Sequence, residues 1–256
     1  METPRTFNEK IQWLKLYDRQ PLYTKLADKY AVRQYVNDKI GPEYLNELYG
    51  VYESPAQIKY NHLPDSFVMK TTHGSGMNIL VHSKREIDIN NIAKRLKGWL
   101  KLNYYELGRE WAYKDIPPKI ICEKLLIDEN GQPPQDFKVF CFNGTPQFIQ
   151  VDYDRHLNHT QTFFDTYWKK LSFGKSCPVH DQEIKHPQRL YEMLWAATQL
   201  SRCIPFVRVD FYALPQLVFG EMTFYPGNGF SAFHPHEWDL KLGNLLELPS
   251  VRRQNK

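Results

Sequence analysis

Apolar residues recur at two spacings along this chain, and the change of spacing divides it into elements. Phe7, Ile11 and Leu14 fall three and four residues apart, the period of one helix face, and predict a helix over Phe7–Tyr17. Pro21 separates it from a second series, Leu26, Tyr30, Val32, Val36 and Ile40, which predicts a helix over Lys25–Lys39 stopped by Gly41-Pro42. Tyr49–Tyr52 suits a short strand. Phe67, Val68 and Met69, then Gly74, Ser75 and Gly76, then Ile79–Val81, read as strand, small turn, strand. Ile92, Leu96, Trp99 and Leu100 mark the inner face of a helix over Ile89–Leu102, and Pro117-Pro118 precedes a strand over Lys119–Ile127.

After a turn at Asp128–Pro134 the spacing shortens to two. Strands are predicted over Phe137–Phe142, Pro146–Asp152 and Thr162–Trp168, with Asn143-Gly144 as the hairpin turn between the first two. Phe173–Lys185 follows neither period and reads as an irregular loop. Pro187 opens a helix through Leu200, two acid-bearing strands follow, and a short helix near Pro235–Leu240 closes the body. Strands mixed with separate helices imply an α+β fold rather than a regular strand–helix–strand series. The expected organisation is N-terminal helices in 1–50 packed on the body, a small lobe over 51–116, a large lobe over 117–249 and a basic tail over 250–256.

The acid-bearing strands hold the most telling chemistry. In Phe206-Val-Arg208-Val-Asp210-Phe-Tyr212, alternation puts Arg208 and Asp210 on one face. Pro215 turns the chain, and Phe219-Gly-Glu221-Met-Thr223 brings Glu221 back toward Asp210. Two carboxylates on paired strands beside an arginine suit a divalent cation and a phosphate; they equally suit a buried Arg–Asp brace within a sheet. Upstream, Lys70 ends a strand before His73-Gly74-Ser75-Gly76. Glycines let backbone N–H groups approach phosphate oxygens, and the lysine adds a point charge, although the Gly-Lys-Ser/Thr of a P-loop is missing.

Taken in order, Lys29 in Ala27-Asp-Lys29-Tyr-Ala-Val-Arg33, Lys70 before its Gly-rich hairpin, Glu123 in Ile120-Ile-Cys-Glu123-Lys-Leu-Leu126, and the Arg208, Asp210, Glu221 set resemble the ATP-grasp superfamily. Asp136-Phe-Lys138-Val-Phe-Cys-Phe-Asn-Gly144, Phe148-Ile-Gln-Val-Asp152, Thr223-Phe-Tyr-Pro-Gly227 and Trp238-Asp-Leu-Lys-Leu-Gly243 resemble its teichuronopeptide-biosynthesis (TupA-like) branch, whose members cluster with surface-polysaccharide genes. The resemblance runs from about Asn8 to Pro249.

It implies two α+β lobes enclosing a nucleotide, with ATP and Mg2+ as cofactors. Lys29 and Lys70 would reach phosphates, and the His73–Gly76 loop would fold over them. Glu123, Lys124 and Leu125 would meet adenine, and Asp136 would lie near the ribose or reacting groups. Asp210 and Glu221 would hold Mg2+, with Thr223 at a position where the superfamily usually has Asn. Arg208, Lys138 and Arg155 would steady the transferred phosphoryl group or the acceptor. The activity implied is an ATP-dependent carboxylate–amine ligase joining an acidic sugar of a polysaccharide to an amino acid or amine. A kinase-like phosphotransferase on a glycan hydroxyl and a glycosyltransferase, for which Asp152-Tyr-Asp154 offers a metal-binding Asp-x-Asp, are the other readings. Only Met1–Asp28 precede Lys29, so the complete α/β domain that usually comes first is not expected here.

Composition agrees. In 256 residues, 42% hydrophobic and 14% aromatic content supplies a substantial core, and a net charge of +4 suits an anionic ligand. No dense Lys/Arg block points to nucleic acid. Neither a signal-peptide core nor a membrane-spanning run is visible, and Cys122, Cys141, Cys177 and Cys203 fit free thiols in a reducing cytoplasm. Lys10 and Lys15 on an amphipathic first helix leave room for a peripheral association with membrane-bound machinery, although packing on the body is the plainer use. His234-Pro-His236-Glu237 lacks a third ligand at metal spacing and reads as loop surface. Ser75 has no adjacent base, and Tyr104-Tyr105 and Trp111 suit packing better than sugar stacking.

Overall fold

The computed structural model describes residues 3–153, 159–175, 177–180 and 184–250. Its helices are α1 (Phe7–Tyr17), α2 (Pro21–Ala27), α3 (Val32–Ile40), α4 (Ile89–Trp99), α5 (Tyr105–Gly108), α6 (Leu190–Ser201) and α7 (Glu237–Leu245). The strands are β1 (Leu48–Tyr52), β2 (Phe67–Thr71), β3 (Asn78–Val81), β4 (Ile120–Glu123), β5 (Asp136–Phe142), β6 (Thr145–Tyr153), β7 (Thr160–Asp165), β8 (Phe206–Ala213) and β9 (Leu217–Thr223). They form two antiparallel sheets, ordered β1-β4-β2-β3 and β7-β6-β5-β8-β9. The chain divides into two units, Pro21–Pro133 and Met1–Gln20 with Pro134–Lys256. Helices α2 and α3 therefore belong with the Gly-loop sheet, and so does β4, because it pairs with both β1 and β2.

In the first unit, alternation sends Phe67 and Met69 of β2, Ile79 and Val81 of β3, and Ile120 and Cys122 of β4 into one core with Ile92 and Leu96 of α4. Asp88 caps α4, accepting from the Asn91 N–H at 3.0 Å. The opposite face of β2 and β4 carries Lys70 and Glu123. The single helix expected over Lys25–Lys39 is two helices. Asp28 Oδ1 accepts the N–H groups of Tyr30 at 2.8 Å and Ala31 at 3.2 Å, and this local bonding competes with the helical ladder.

In the second unit, α6 covers the apolar face of the five-stranded sheet, with Cys141 sealed beneath Ala197. Asn143 and Gly144, at φ 50° and 79°, make the β5–β6 turn expected of Asn-Gly. Strand β7 stops at Asp165, short of the expected Trp168, because Asp165 Oδ1 takes the N–H groups of Tyr167 at 2.9 Å and Lys169 at 2.8 Å. The β8–β9 hairpin pairs Asp210 with Glu221 and Phe211 with Phe219, so Gly220 is an extra, bulged residue. A methyl at Gly220 would sit 3.1 Å from the Asp210 carbonyl oxygen, a close approach that glycine relieves.

Helix α1 is fixed from both ends. Thr6 and Glu9 form a reciprocal capping box. Phe7 packs on Phe142, Phe206 and Phe233. Lys10 donates to the carbonyls of Gly243 at 2.8 Å and Leu246 at 2.7 Å, and Lys15 to Asn228 Oδ1 at 2.5 Å. Both cations that a membrane contact would use are thus tied within the unit. Helix α7 begins at Glu237 and runs to Leu245, beyond the expected Leu240, and Lys10 holds its last turn. Among the described residues no helix is long and apolar enough to cross a membrane.

Candidate active site

The polar face of the five-stranded sheet follows directly from register. Lys138 on β5 lies opposite Asp210 on β8, and Asp210 lies opposite Glu221 on β9. On the other side, Asp136 faces Asp152 of β6, and Lys138 faces Gln150. Alternation then aims all these side chains the same way.

Charge is arranged there in two linked groups. Arg208 grips Asp210 with both prongs, Nε to Oδ1 at 2.7 Å and Nη2 to Oδ2 at 2.6 Å, and its Nη2 also approaches Glu221 Oε1 at 3.4 Å. Thr223 Oγ1 lies 3.5 Å from the same Glu221 oxygen. Lys138 Nζ bridges Asp136 Oδ2 at 2.6 Å and Asp152 Oδ2 at 2.5 Å. Burial pushes the Asp210 carboxyl well above the usual carboxylate range; the Arg208 guanidinium opposes that rise, and the Asp136 carboxylate adds to it. Lys175 approaches the same face, half-buried, with its ammonium 5.9 Å from the Phe140 ring centroid. Burial and then Arg208 lower it to about 8, while Asp152 and Asp210 pull it back up.

In the other unit, Glu123 is the hub. Its Oε1 accepts from Arg33 Nη1 at 2.9 Å and its Oε2 from Lys70 Nζ at 2.9 Å. Arg33 also donates to the Asn46 carbonyl at 2.7 Å. Lys29 sits in the turn between α2 and α3 and donates to the Gly74 carbonyl at 2.7 Å. The loop after β2 uses its glycines differently. Gly76 has φ +74° with open space around it, whereas a Cβ on Gly74 would meet Met77 Cε at 2.5 Å and Tyr104 Cδ2 at 2.6 Å.

A model of the TupA-like ATP-grasp family matches residues 9–247. The chain belongs to that family. Its fold is similar to that of an L-amino acid ligase from Bacillus licheniformis, at 12% identity and TM-score 0.54 over 97% of this chain and 58% of that one. Weaker likenesses link it to a D-alanine–D-alanine ligase from Bacillus anthracis (13% identity, TM-score 0.46, 78% of this chain and 57% of that one). The ATP-grasp ligase PsnB, complexed with a phosphomimetic variant of its minimal precursor, Mg and ADP, gives 10% identity, TM-score 0.47, and 88% and 59% coverage. This chain thus spans between 57% and 59% of the length of these structures. No protein of curated function matches it.

Within this ATP-grasp chain, several expected residues sit differently from the sequence reading. His73 points inward: it is buried, and its Nε2 lies 3.1 Å from the Trp99 carbonyl, so the ring ties the loop to α4 instead of facing a phosphate. Gly74 is buried as well, which leaves Ser75 and Gly76 as the exposed tip. The Lys124 N–H already donates to the Glu47 carbonyl at 2.9 Å, and the Lys124 carbonyl accepts from Asn46 at 2.9 Å, so this N–H is not open to an adenine edge. Strand β4 ends at Glu123, and Leu125 follows it, partly buried. Arg155 lies outside the described residues.

Sequence reasoning gave no role to Arg33, Gln150 and Lys175; it read His159 within Arg155–His159 as part of a segment able to grip an anionic acceptor or the γ-phosphate, and Asp152 as part of a family motif and of an Asp-x-Asp pair, without their mutual contact. Arg33 was visible four residues after Lys29, one helical turn on, and Gln150 and Asp152 were visible as alternate residues of one strand. Lys175 lies in a segment with no period, and nothing local marked it.

Proposed function

We propose that this chain is an ATP-dependent carboxylate–amine ligase working through an acyl phosphate. The substrate carboxylate attacks the γ-phosphate of ATP, ADP leaves, and an amine then displaces phosphate from the acyl carbon to form an amide. The observation that carries the reading is the register of β8 and β9 in a chain of the TupA-like ATP-grasp family: Asp210 and Glu221 face each other with Arg208 beside them.

The donor set fits magnesium. Asp210, Glu221 and the Thr223 hydroxyl are hard oxygen donors, and among the described residues no group of three or more His, Cys, Asp or Glu is placed to hold a metal ion. Two carboxylates, completed by phosphates and water, are the usual manner in which Mg2+ is held. When bound it would offset phosphate charge. Arg208 would neutralise charge developing on the transferred group; in the other unit, Lys29, Lys70 and the Ser75–Gly76 tip are groups whose charge and open backbone suit phosphate. The family likeness alone points to an acidic sugar of a surface polysaccharide as carboxylate and an amino acid as amine. Of the Asp152-Tyr-Asp154 pair that a glycosyltransferase would use, Asp154 lies outside the described residues, and the Asp152 carboxylate is bonded by Lys138, Gln150 and His159.

Incubation with ATP, Mg2+, uronic acids and amino acids should release ADP and phosphate and yield an amide by mass spectrometry. Glu221→Gln should lower turnover by about a hundredfold and raise the Mg2+ concentration needed. Phosphorylated glycan without amide would instead indicate a phosphotransferase. Unchanged turnover in both Glu221→Gln and Asp210→Asn would remove the metal site.

A further inference from the structure

The same sheet face carries a second constellation. Asp152 on β6, His159 just before β7 and Cys177 beyond it form a hydrogen-bonded line. Asp152 Oδ1 lies 3.2 Å from His159 Nε2, and His159 Nδ1 lies 3.3 Å from Cys177 Sγ. The carboxylate only accepts, so Nε2 carries the proton and donates, and the lone pair of Nδ1 is left aimed at the thiol. A nucleophile, a base within reach and a third group that orients the base make up the arrangement that activates thiols and hydroxyls.

The geometry is held from several sides. Asp152 is buried and also bonded by Lys138 at 2.5 Å and by Gln150 Nε2 at 2.9 Å. Gly174 and His234 exchange two backbone hydrogen bonds at 2.7 and 3.0 Å, and the Gln161 N–H donates to the Pro178 carbonyl at 2.9 Å, so Gly174 and Pro178, on either side of Cys177, are both held. The other cysteines differ in kind. Cys122 and Cys141 are sealed in cores, where burial pushes their thiols up to about 12, and Cys203 is exposed. The His159 side chain keeps 35% of its surface exposed, and Cys177 is only partly covered, so a substrate can reach both. Lys138 joins this line to the phosphoryl end of the face, since it bonds Asp152 and lies opposite Asp210 in register.

We propose that Cys177, activated by His159 and positioned through Asp152, accepts the acyl group from an acyl phosphate as a thioester before the amine receives it. This rests on the acyl-phosphate reading above. The sulfur attacks the acyl carbon, the bond from that carbon to the phosphate oxygen breaks, and phosphate departs. The thiol proton passes to His159 Nδ1 and on to the phosphate. The amine nitrogen then attacks the thioester carbon, the carbon–sulfur bond breaks, and the amine proton returns through His159 to sulfur. Nothing is oxidised or reduced.

Two probes on the full chain test this without ATP. With iodoacetamide at pH 7, peptide mass spectrometry should show Cys177 alkylated at least about tenfold faster than Cys203. His159→Asn should erase that difference while leaving the Cys203 rate as it was. With acetyl phosphate, Cys177 should gain an acetyl group that neutral hydroxylamine removes and that Cys177→Ala abolishes. Cys177 reacting no faster than Cys203, an unchanged Cys177 rate in His159→Asn, or no acetylation would each overturn the proposal. A chain that acetylates Cys177 yet makes no ADP with any acceptor keeps the thiol chemistry and loses the ligase reading.

Discussion

Removing the Lys138 ammonium should destabilise the five-stranded unit severely, and partial acidification should restore some of the loss. In Lys138→Met the chain keeps a side chain of similar length but strands two carboxylates. Asp136 and Asp152 are cross-strand partners, and Lys138 lies 2.6 and 2.5 Å from them with side-chain exposures of 12%, 3% and 6% respectively for the three groups. At an effective dielectric of about 20, each contact contributes roughly 6 kcal/mol of Coulomb attraction before desolvation is counted. Desolvation of three charges offsets most of that. What remains on truncation is the cost of buried carboxylates left without their cation, about 3–5 kcal/mol. At about 2–4 °C per kcal/mol this corresponds to a fall in Tm of roughly 6–20 °C. Two neighbouring carboxylates can share a proton, so lowering the pH from 8 to 5 should narrow the gap to wild type. The double variant Lys138→Met/Asp152→Asn should be more stable than Lys138→Met alone, because the second change removes the repulsion the first creates. Thermal melts of the three proteins at both pH values decide the matter. A Lys138→Met protein that melts within about 2 °C of wild type, or whose deficit does not depend on pH, would refute the bridge as a stabilising element.

Two further outcomes follow from the Gly-loop unit. Gly76→Asn should cost only a few tenths of a kcal/mol, because Asn tolerates the left-handed conformation and the site is open, whereas Gly74→Asn should cost about 1–3 kcal/mol by displacing Tyr104 and Met77; equal urea midpoints would contradict this. His73 is held below its usual 6.5 chiefly by burial, so the fold disfavours its charged form: stability should be full above pH 6.5 and fall, by at most about 1.4 kcal/mol per unit, as the pH drops below it, and His73→Gln should flatten that part of a denaturant-midpoint profile.

What was legible in the sequence was local. Helix α1 matches its expected bounds because Thr6 and Glu9 fix the start and helical spacing defines the buried face. Arg208 and Asp210 share a face because strands repeat every second residue. Glu221 meets Asp210 for a reason the alternation alone does not contain, namely one extra residue at Gly220 that resets the pairing. Partner choice was not legible. That Glu123 would bind Arg33 as well as Lys70, or that Lys138 would be clamped by two aspartates, depends on contacts between residues up to 90 positions apart. Breaks such as Asp28 and Asp165 were missed because a short acidic side chain can satisfy backbone N–H groups as well as a helix or ladder does. The segment from Phe173 to His180 has no period, so its placement of Lys175 and Cys177 had no local signal.

The same kind of pairing recurs within each unit. The basic residues expected to meet phosphate do not stand as bare charges: Lys70 is paired with Glu123, Lys138 with Asp136 and Asp152, and Arg208 with Asp210. Each pairing holds a long side chain in one rotamer, which lowers the ordering cost a ligand would otherwise meet. It also places carboxylates within reach of any incoming phosphate, and like charges repel. A triphosphate alone would gain the cations and suffer the carboxylates. A triphosphate accompanied by a divalent ion would gain from both, since the ion is attracted to the acids that repel its ligand. On the function proposed above, the acids and bases of the five-stranded sheet's polar face would therefore favour a nucleotide that carries its divalent ion over a free one, and titration of the chain with ATP in the presence and absence of Mg2+ checks this.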